Sequence, residues 1–266
     1  MTGSGNDFVM VDARLSRLED WAAADIASVC ARGTGIGADG LVLVGPGSEE
    51  GAARMVYFNS DGSRAAMCGN AALCSTRLAA RLEIAPAQGM RLETDAGVYE
   101  SRCPGPGHHA ELHLAPVSPP NELSALKTGP GERRIALGVV GVPHMVVQVD
   151  DVDQVDLMAR GRELRFHEAA GVAGANVNFI SPGSNPSEWR MRTYERGVEA
   201  ETLACGTGAV TAACALASWG LTSFPVQIVT RTGRLLTVQA RRTVEDLYED
   251  VWLGGEARLV FRGVLT

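Results

Sequence analysis

Lysine is almost missing from this sequence of 266 residues: there is one, Lys127, inside the Pro- and Gly-rich stretch Pro116–Arg133. An enzyme that uses pyridoxal phosphate needs a lysine for its Schiff base, so a lone lysine in a connector argues against that cofactor. A net charge of −7 leaves no basic footprint for nucleic acid or for an anionic membrane. No apolar run approaches the roughly 20 residues that span a bilayer, and Met1–Asp12 has neither the basic nor the apolar segment of a signal peptide. The six cysteines lack the close pairwise spacing of a disulfide framework, which fits a reducing cytoplasm. His108, His109 and His113 cluster without the Cys or carboxylate partners of a metal set, and we expect no metal there. Gly35-Ile36-Gly37-Ala38-Asp39-Gly40 matches G-x-G-x-x-G, but a helical pattern precedes it and the β-like run Leu41–Val44 follows. A dinucleotide fingerprint needs the opposite order, so we reject that reading.

What the chain does contain is a thiol placed twice in the same setting. Cys205 precedes Gly206-Thr207-Gly208, and the turn opens into the helix-like run Ala209–Trp219; Met67-Cys68-Gly69-Asn70 is followed by Ala71–Leu82. A thiol at a helix start meets unpaired backbone N–H groups and the positive end of the macrodipole, both of which favour the thiolate. The two cysteines lie 137 positions apart, as do Tyr57 and Tyr194. Gly35–Ser48 lines up with Gly171–Ser184 at an offset of 136, Thr94 and Gly97 find Thr230 and Gly233, and Phe8–Asp12 recurs in character as Met145–Asp150. We read this as an internal duplication. Apolar content of 45% and charged content of 21% are those of an ordinary globular protein, and the length favours two domains. Two similar halves about a pseudo-twofold axis would turn Cys68 and Cys205 toward a common cleft. Inverting a stereocentre beside a carboxylate needs a base on one face and an acid on the other, and two thiols supply both.

Along the chain the patterns predict a strand at Phe8–Val11, a helix over Leu18–Ala31, a strand ending at Asn59, strands at Arg91–Glu100 and Glu111–Ala115, and further strands at Met145–Val149 and Asn176–Ile180. Asn6 and Asn59 each lie in turns, where an asparagine either caps the backbone or presents its amide to a ligand. Asn176 and Asn178 share one face of their strand. Glu195-Arg196 is either a solvated pair or, next to a reactive thiol, a holder of a zwitterion.

These motifs resemble the diaminopimelate epimerase family. The matching stretches are Gly5-Asn6-Asp7-Phe8, Gly35–Gly40, Phe58–Ser63, Met67–Asn70, Pro143-His144, Asn176–Phe179, and Glu195-Arg196-Gly197 through Glu201–Gly208, in family order over nearly the whole chain. The resemblance implies an α+β fold of two similar halves, each a mixed sheet wrapped around a central helix, with the active site in the cleft between them. Domains would run 1–115 and 116–250, with 251–266 carrying a last strand, around Ala257–Val264, back to the first half. It implies no cofactor, a small amino-acid substrate and a homodimer. Cys68 and Cys205 would be the thiol–thiolate pair, with His144 and Glu195 beside them in the catalytic set. Asn6, Asn59, Asn176, Glu195 and Arg196 would grip the substrate, and the helix starts Gly69-Asn70 and Gly206-Thr207 would hold its α-carboxylate.

The chain also departs from the family pattern. Val142 stands where an Asn usually precedes Pro-His, Ala71-Ala72-Leu73 replaces Gly-Ala-Arg, Thr2 stands where His is common, and the loop Gly197–Glu201 is one residue longer. Two other readings follow: a same-fold racemase of another amino acid such as histidine, motivated by Val142 and Leu73, and a dithiol redox protein cycling Cys68 and Cys205.

Overall fold

Strands form where branched and aromatic residues alternate between two apolar surfaces, and each of the two small-residue runs after a cysteine becomes a buried helix. A computed structural model describes residues 1–265. The chain forms two compact units, one made of Met1–His113 and the chain from Gly254 onward, the other of Leu114–Leu253. The helices are α1 (Ala23–Cys30), α2 (Gly69–Arg81), α3 (Leu157–Arg165) and α4 (Gly206–Ser218). None of the described helices is long and apolar enough to cross a membrane.

In the first unit, Asn6–Asp12 runs parallel to Gly40–Pro46, which pairs antiparallel with Ala52–Asn59. That strand lies parallel to Met90–Thr94, which turns back antiparallel into Gly97–Arg102. Side chains alternate across the sheet. Val9, Val11, Leu41, Leu43, Val56 and Phe58 point to the outer core with Ile26 of α1. The other face packs on α2, whose run of Ala, Ser, Thr and Cys lets strands approach closely. Ser75 and Thr76 can be buried there because each hydroxyl donates to the carbonyl four residues back, Ala71 or Ala72, at 2.8 Å.

The second unit repeats this order of pairings. Val142–Val149 is parallel to Asn176–Pro182, that strand is antiparallel to Glu188–Glu195, then come a parallel pair with Val226–Val229 and an antiparallel return through Leu235–Arg242. Val147, Val177, Phe179 and Tyr194 pack outward with Leu157 and Leu164 of α3, while Val146, Ile180, Trp189 and Met191 pack inward on α4. The register makes the repeat exact at one offset in the strands that pair in the middle of each unit. Phe8 pairs with Gly40 and His144 with Asn176, and both partners are displaced by 136 (144 − 8, 176 − 40). Val42 pairs with Tyr57 and Asn178 with Thr193, again displaced by 136 (178 − 42, 193 − 57).

This register corrects two equivalences expected from sequence. Tyr57 corresponds to Thr193 rather than Tyr194, and Phe8 to His144 rather than Met145. The change to the 137 that separates the cysteines occurs in one turn. Five residues (59–63) join the paired Phe58 and Arg64, and six (195–200) join Tyr194 and Glu201.

Other boundaries differ as well. The helix expected over Leu18–Ala31 is a 3₁₀ turn, Leu18–Asp20, and then α1; the chain breaks at Trp21-Ala22, where the Asp25 carboxylate accepts the Ala22 N–H. The single strand expected at Arg91–Glu100 is a hairpin, because Thr94 Oγ1 accepts the Ala96 N–H and donates to the Gly97 carbonyl, closing a turn. The Pro- and Gly-rich connector Pro116–Arg133 is tied into the second unit: Val117 and Tyr248 exchange both backbone hydrogen bonds, and Asn121–Glu122 pairs with Leu137 and Ala136. The last strand lies at Tyr248–Glu256 rather than Ala257–Val264, and beyond it Arg258 bridges Thr2.

Candidate active site

Each of the two singled-out thiols is the N-cap residue of its unit's central helix. Cys68 caps α2 and Cys205 caps α4, both with extended backbone, and their carbonyls accept the first helical bonds, from Ala72 and Ala209, each at 2.9 Å. Each thiol thus lies at a helix start, where the N–H groups of Gly69-Asn70 and Gly206-Thr207 have no carbonyl partner inside the helix; neither sulfur makes a cap hydrogen bond to them. The other cysteines have a different environment. Burial pushes Cys74 and Cys214 up to about 12 and raises Cys30 and Cys103, so these are apolar packing groups.

Around Cys68 the first unit builds a polar chain. The buried Asn70 amide donates to Asn6 Oδ1 at 2.6 Å, and Asn6 in turn donates to Asp39 at 2.8 Å. Asp39 is held by Arg32 at 2.8 Å, and the same guanidinium clamps Asp7 with contacts of 2.9 and 2.6 Å. Asp7 closes the ring by accepting the Asp39 backbone N–H at 3.0 Å. Two predicted residues, Asn6 and Asn70, thus meet directly. Asp39 and Arg32, which sequence reasoning did not select, fix the Asn6 rotamer; their only signal was Asp39 lying inside the Gly-rich turn. Asn59 ends its strand and donates to Ser63 Oγ at 3.0 Å, so its amide also shapes the turn. An open depression of about 550 Å³ lined by Glu50, Ala80, Glu83 and Pro86 lies at the other end of α2 and has no part in this chemistry.

In the second unit Cys205 is 7% exposed, and its Sγ lies 3.8 Å from Thr207 Oγ1. The glycines after it are there for space. A Cβ on Gly206 would stand 2.8 Å from Leu253 Cδ2; one on Gly208 would collide with Asn178 Oδ1 and stand 3.2 Å from the Cys205 sulfur. Asn176 accepts the backbone N–H of Arg196 at 2.7 Å, which anchors the strand end carrying Glu195 and Arg196. Burial raises the Glu195 carboxyl above its ordinary range, against a 2.6 Å hydrogen bond from Thr202. Other arginines nearby are committed, Arg192 to Glu201 and Arg165 to Glu199. His144 is fully buried and its Nδ1 lies 3.3 Å from Asn178 Nδ2. Burial, with the Arg196 charge adding to it, pushes the ring's pKa down to about 3 against the pull of the Val140 carbonyl. At neutral pH His144 is uncharged. Sequence reasoning missed Asn178, Thr193 and Thr202, although the Asn-x-Asn alternation already placed Asn178 on the Asn176 face.

Of the departures, Leu73 is fully buried in the middle of α2, and Val142 opens its strand, partly exposed, at the position equivalent to Asn6 (142 − 6).

The family model described as diaminopimelate epimerase matches residues 1–117 and 137–249. A diaminopimelate epimerase from Gemmatimonas aurantiaca is 46% identical over 100% of this chain and 98% of its own length. One from Aquifex aeolicus is 43% identical, with 100% and 96% covered. Among solved structures, a phenazine biosynthesis protein of the PhzF family from Bacillus anthracis aligns at a TM-score of 0.71 over 96% of this chain and 92% of its own, with 14% identity. A hydroxyproline epimerase from Agrobacterium vitis aligns at 0.63 over 96% and 86%, with 17% identity. These two likenesses concern the fold.

Proposed function

The chain belongs to the diaminopimelate epimerase family, and from that membership we propose that it interconverts LL- and meso-2,6-diaminopimelate by transferring a proton between two cysteine thiols, without a cofactor. The observation that carries this reading is that the equivalent central helices of two units with one pairing order both begin at a cysteine. One thiolate takes the α-proton, breaking C–H and forming S–H. The carbanion then takes a proton from the other thiol on the opposite face, and the two sulfurs end with exchanged protonation. No electrons leave the system.

The helix-start N–H groups at Gly69-Asn70 and Gly206-Thr207 are the donors for the α-carboxylate and for the charge that develops on it. Asn6, Asn59, Asn176, Glu195 and Arg196 recognise the substrate, with the Glu195 carboxylate on the distal ammonium and the Arg196 guanidinium on the distal carboxylate. Burial disfavours the ionised Glu195, and an ammonium partner restores it. Distal binding and Glu195 ionisation are therefore linked. The same reading places the enzyme in the reducing cytoplasm, as a homodimer like that of the family, at a step supplying lysine and peptidoglycan precursors.

The test is α-proton exchange in D₂O under reducing conditions, followed by NMR with LL-diaminopimelate and L-histidine in parallel. Exchange with diaminopimelate is expected, and Cys68→Ala and Cys205→Ala should each lower turnover by about 10²–10⁴-fold. Exchange with histidine alone would move the activity to another amino acid. Near-normal turnover in either variant would refute the two-thiol scheme.

A further inference from the structure

The two units agree in pairing and register, so a position where they differ in chemistry marks something the fold itself does not need. One such difference is concentrated. In the first unit Phe8, Val42 and Tyr57 occupy three facing positions on the strands over α2, and the Phe8 and Tyr57 rings meet edge to face at 6.1 Å. Their equivalents in the second unit, 136 positions on, are His144, Asn178 and Thr193. All three are buried; His144 and Asn178 are 0% exposed. Burying polar groups in place of a hydrocarbon cluster costs stability unless each group is paired. The helix has adjusted as well: Gly208 replaces the equivalent Ala71, and only a residue without Cβ leaves room for the Asn178 amide beside the Cys205 sulfur.

The hydrogen bonds of this set have one direction. The Met145 carbonyl can only accept, so the Asn178 atom 3.0 Å from it is the amide nitrogen, and Thr193 Oγ1 donates to the other atom, Oδ1, at 2.9 Å. The amide nitrogen then donates one hydrogen to the Met145 carbonyl at 3.0 Å and the other toward His144 Nδ1 at 3.3 Å. A flipped amide would set its oxygen against the Met145 carbonyl, acceptor against acceptor, so that contact fixes the orientation. Nδ1, receiving a hydrogen, must carry the lone pair. The Val140 carbonyl also faces the ring, but the Asn178 amide hydrogen occupies the Nδ1 lone pair, so in the neutral ring the proton sits on Nε2, which makes no hydrogen bond of its own.

We propose that Asn178 is a positioning residue that holds His144 as the neutral Nε2–H tautomer, an uncharged donor rather than a cation. This rests on the epimerase reading, in which His144 belongs to the catalytic set; the tautomer itself can be measured without turnover. Thr193 and Gly208 serve the same end, one by fixing the amide and the other by making room for it.

The deciding experiment is long-range ¹H–¹⁵N NMR of the full-length, reduced protein at about neutral pH, with the His144 signals identified by their loss in His144→Gln. We expect a protonated Nε2 and a bare Nδ1. A ring protonated on Nδ1, or on both nitrogens, overturns the proposal. Asn178→Asp places an acceptor against Nδ1 and should move the proton there. With it kcat should fall by about 10- to 100-fold, the range typical of partners that orient an imidazole, while KM changes little. An Asn178→Asp protein that keeps the Nε2–H tautomer and full kcat also overturns it. If that variant does not fold, the wild-type spectrum still decides. Wild-type exchange with diaminopimelate tests the underlying reading separately, so failure of one is distinguishable from failure of the other.

Discussion

A buried imidazole is a stability device as well as a chemical one. His144 has a pKa of about 3 in the folded chain against an ordinary 6.5, chiefly because burial strips the cation of water. Between those values the unfolded chain binds a proton that the folded chain does not, so stability rises with pH across the window and is lost as pH falls through it. The size is on the order of a few kcal/mol when the whole window is crossed. Urea unfolding at about pH 7 and about pH 4 should show wild type losing more stability than His144→Gln, since both share the carboxylate titrations and only one has the ring. Equal losses would show that the ring takes its proton without penalty. Glu195 contributes with the opposite sense. Its raised pKa means that the folded state holds the proton longer, so its contribution favours the folded state at low pH and is lost as pH rises through the raised value.

At the scale of elements, the turn Asp39 and the loop residue Arg32 bind two strands through a ring of charges that ends on Asn6 and Asn70. Arg32 is 61% exposed on its side chain, and such a pair contributes about 0–1 kcal/mol to stability. Its consequence is therefore expected in recognition rather than in folding. Asp39→Ala should raise KM for diaminopimelate about tenfold, roughly 1.4 kcal/mol of binding, while the unfolding midpoint barely moves. Asp39→Asn, which keeps an acceptor for the Asn6 amide, should recover most of the loss. A lowered midpoint with unchanged KM would make the ring a structural clasp.

The elements that were legible in sequence share a property with these sites: their signal is local. The small-residue runs after Cys68 and Cys205, the apolar strand at Phe8–Val11 and the Asn176–Ile180 alternation could be read because periodicity, a cap and a turn fall within a few residues of each other. Asn178, Asp39 and Thr193 were missed because what gives them a role is a partner 15 to 33 positions away, such as Asn178 for Thr193 and Asn6 for Asp39. Tyr57 was matched to Tyr194 because an identity outweighed a register that only the hydrogen-bond ladder reveals. The Arg91–Glu100 strand was read through its own turn for a related reason: Thr94–Gly97 carries β-forming residues on both sides, and only the Thr94 hydroxyl bonds show where the chain reverses.

For the whole molecule, the offset of 136 in the strands and 137 in the central helices shows how a duplicated fold can divide its labour. The polar chain Asn6, Asp39 and Asn70 of the first unit has Val142, Ala175 and Thr207 at the equivalent places of the second, whereas the polar set His144, Asn178 and Thr193 of the second has Phe8, Val42 and Tyr57 in the first. Each unit retains one thiol-capped helix and surrounds it with a different polar shell, as two chemically distinct ends of one reaction would require. The second unit is also one unbroken segment of 140 residues (253 − 114 + 1) whose two ends are tied by the Val117–Tyr248 backbone pair. That length is enough for an independent core. Residues 114–253 expressed alone should therefore unfold cooperatively and keep the His144 proton on Nε2, because every partner of that tautomer lies within the fragment. It should show no epimerisation, because of the proposed thiol pair it holds only Cys205; its other cysteine, Cys214, is buried in the core of α4. Turnover by the fragment would mean that Cys205 and its shell suffice, and would remove Cys68 from the chemistry. A fragment that folds but loses the tautomer would instead show that the ring is oriented from the first unit rather than by Asn178.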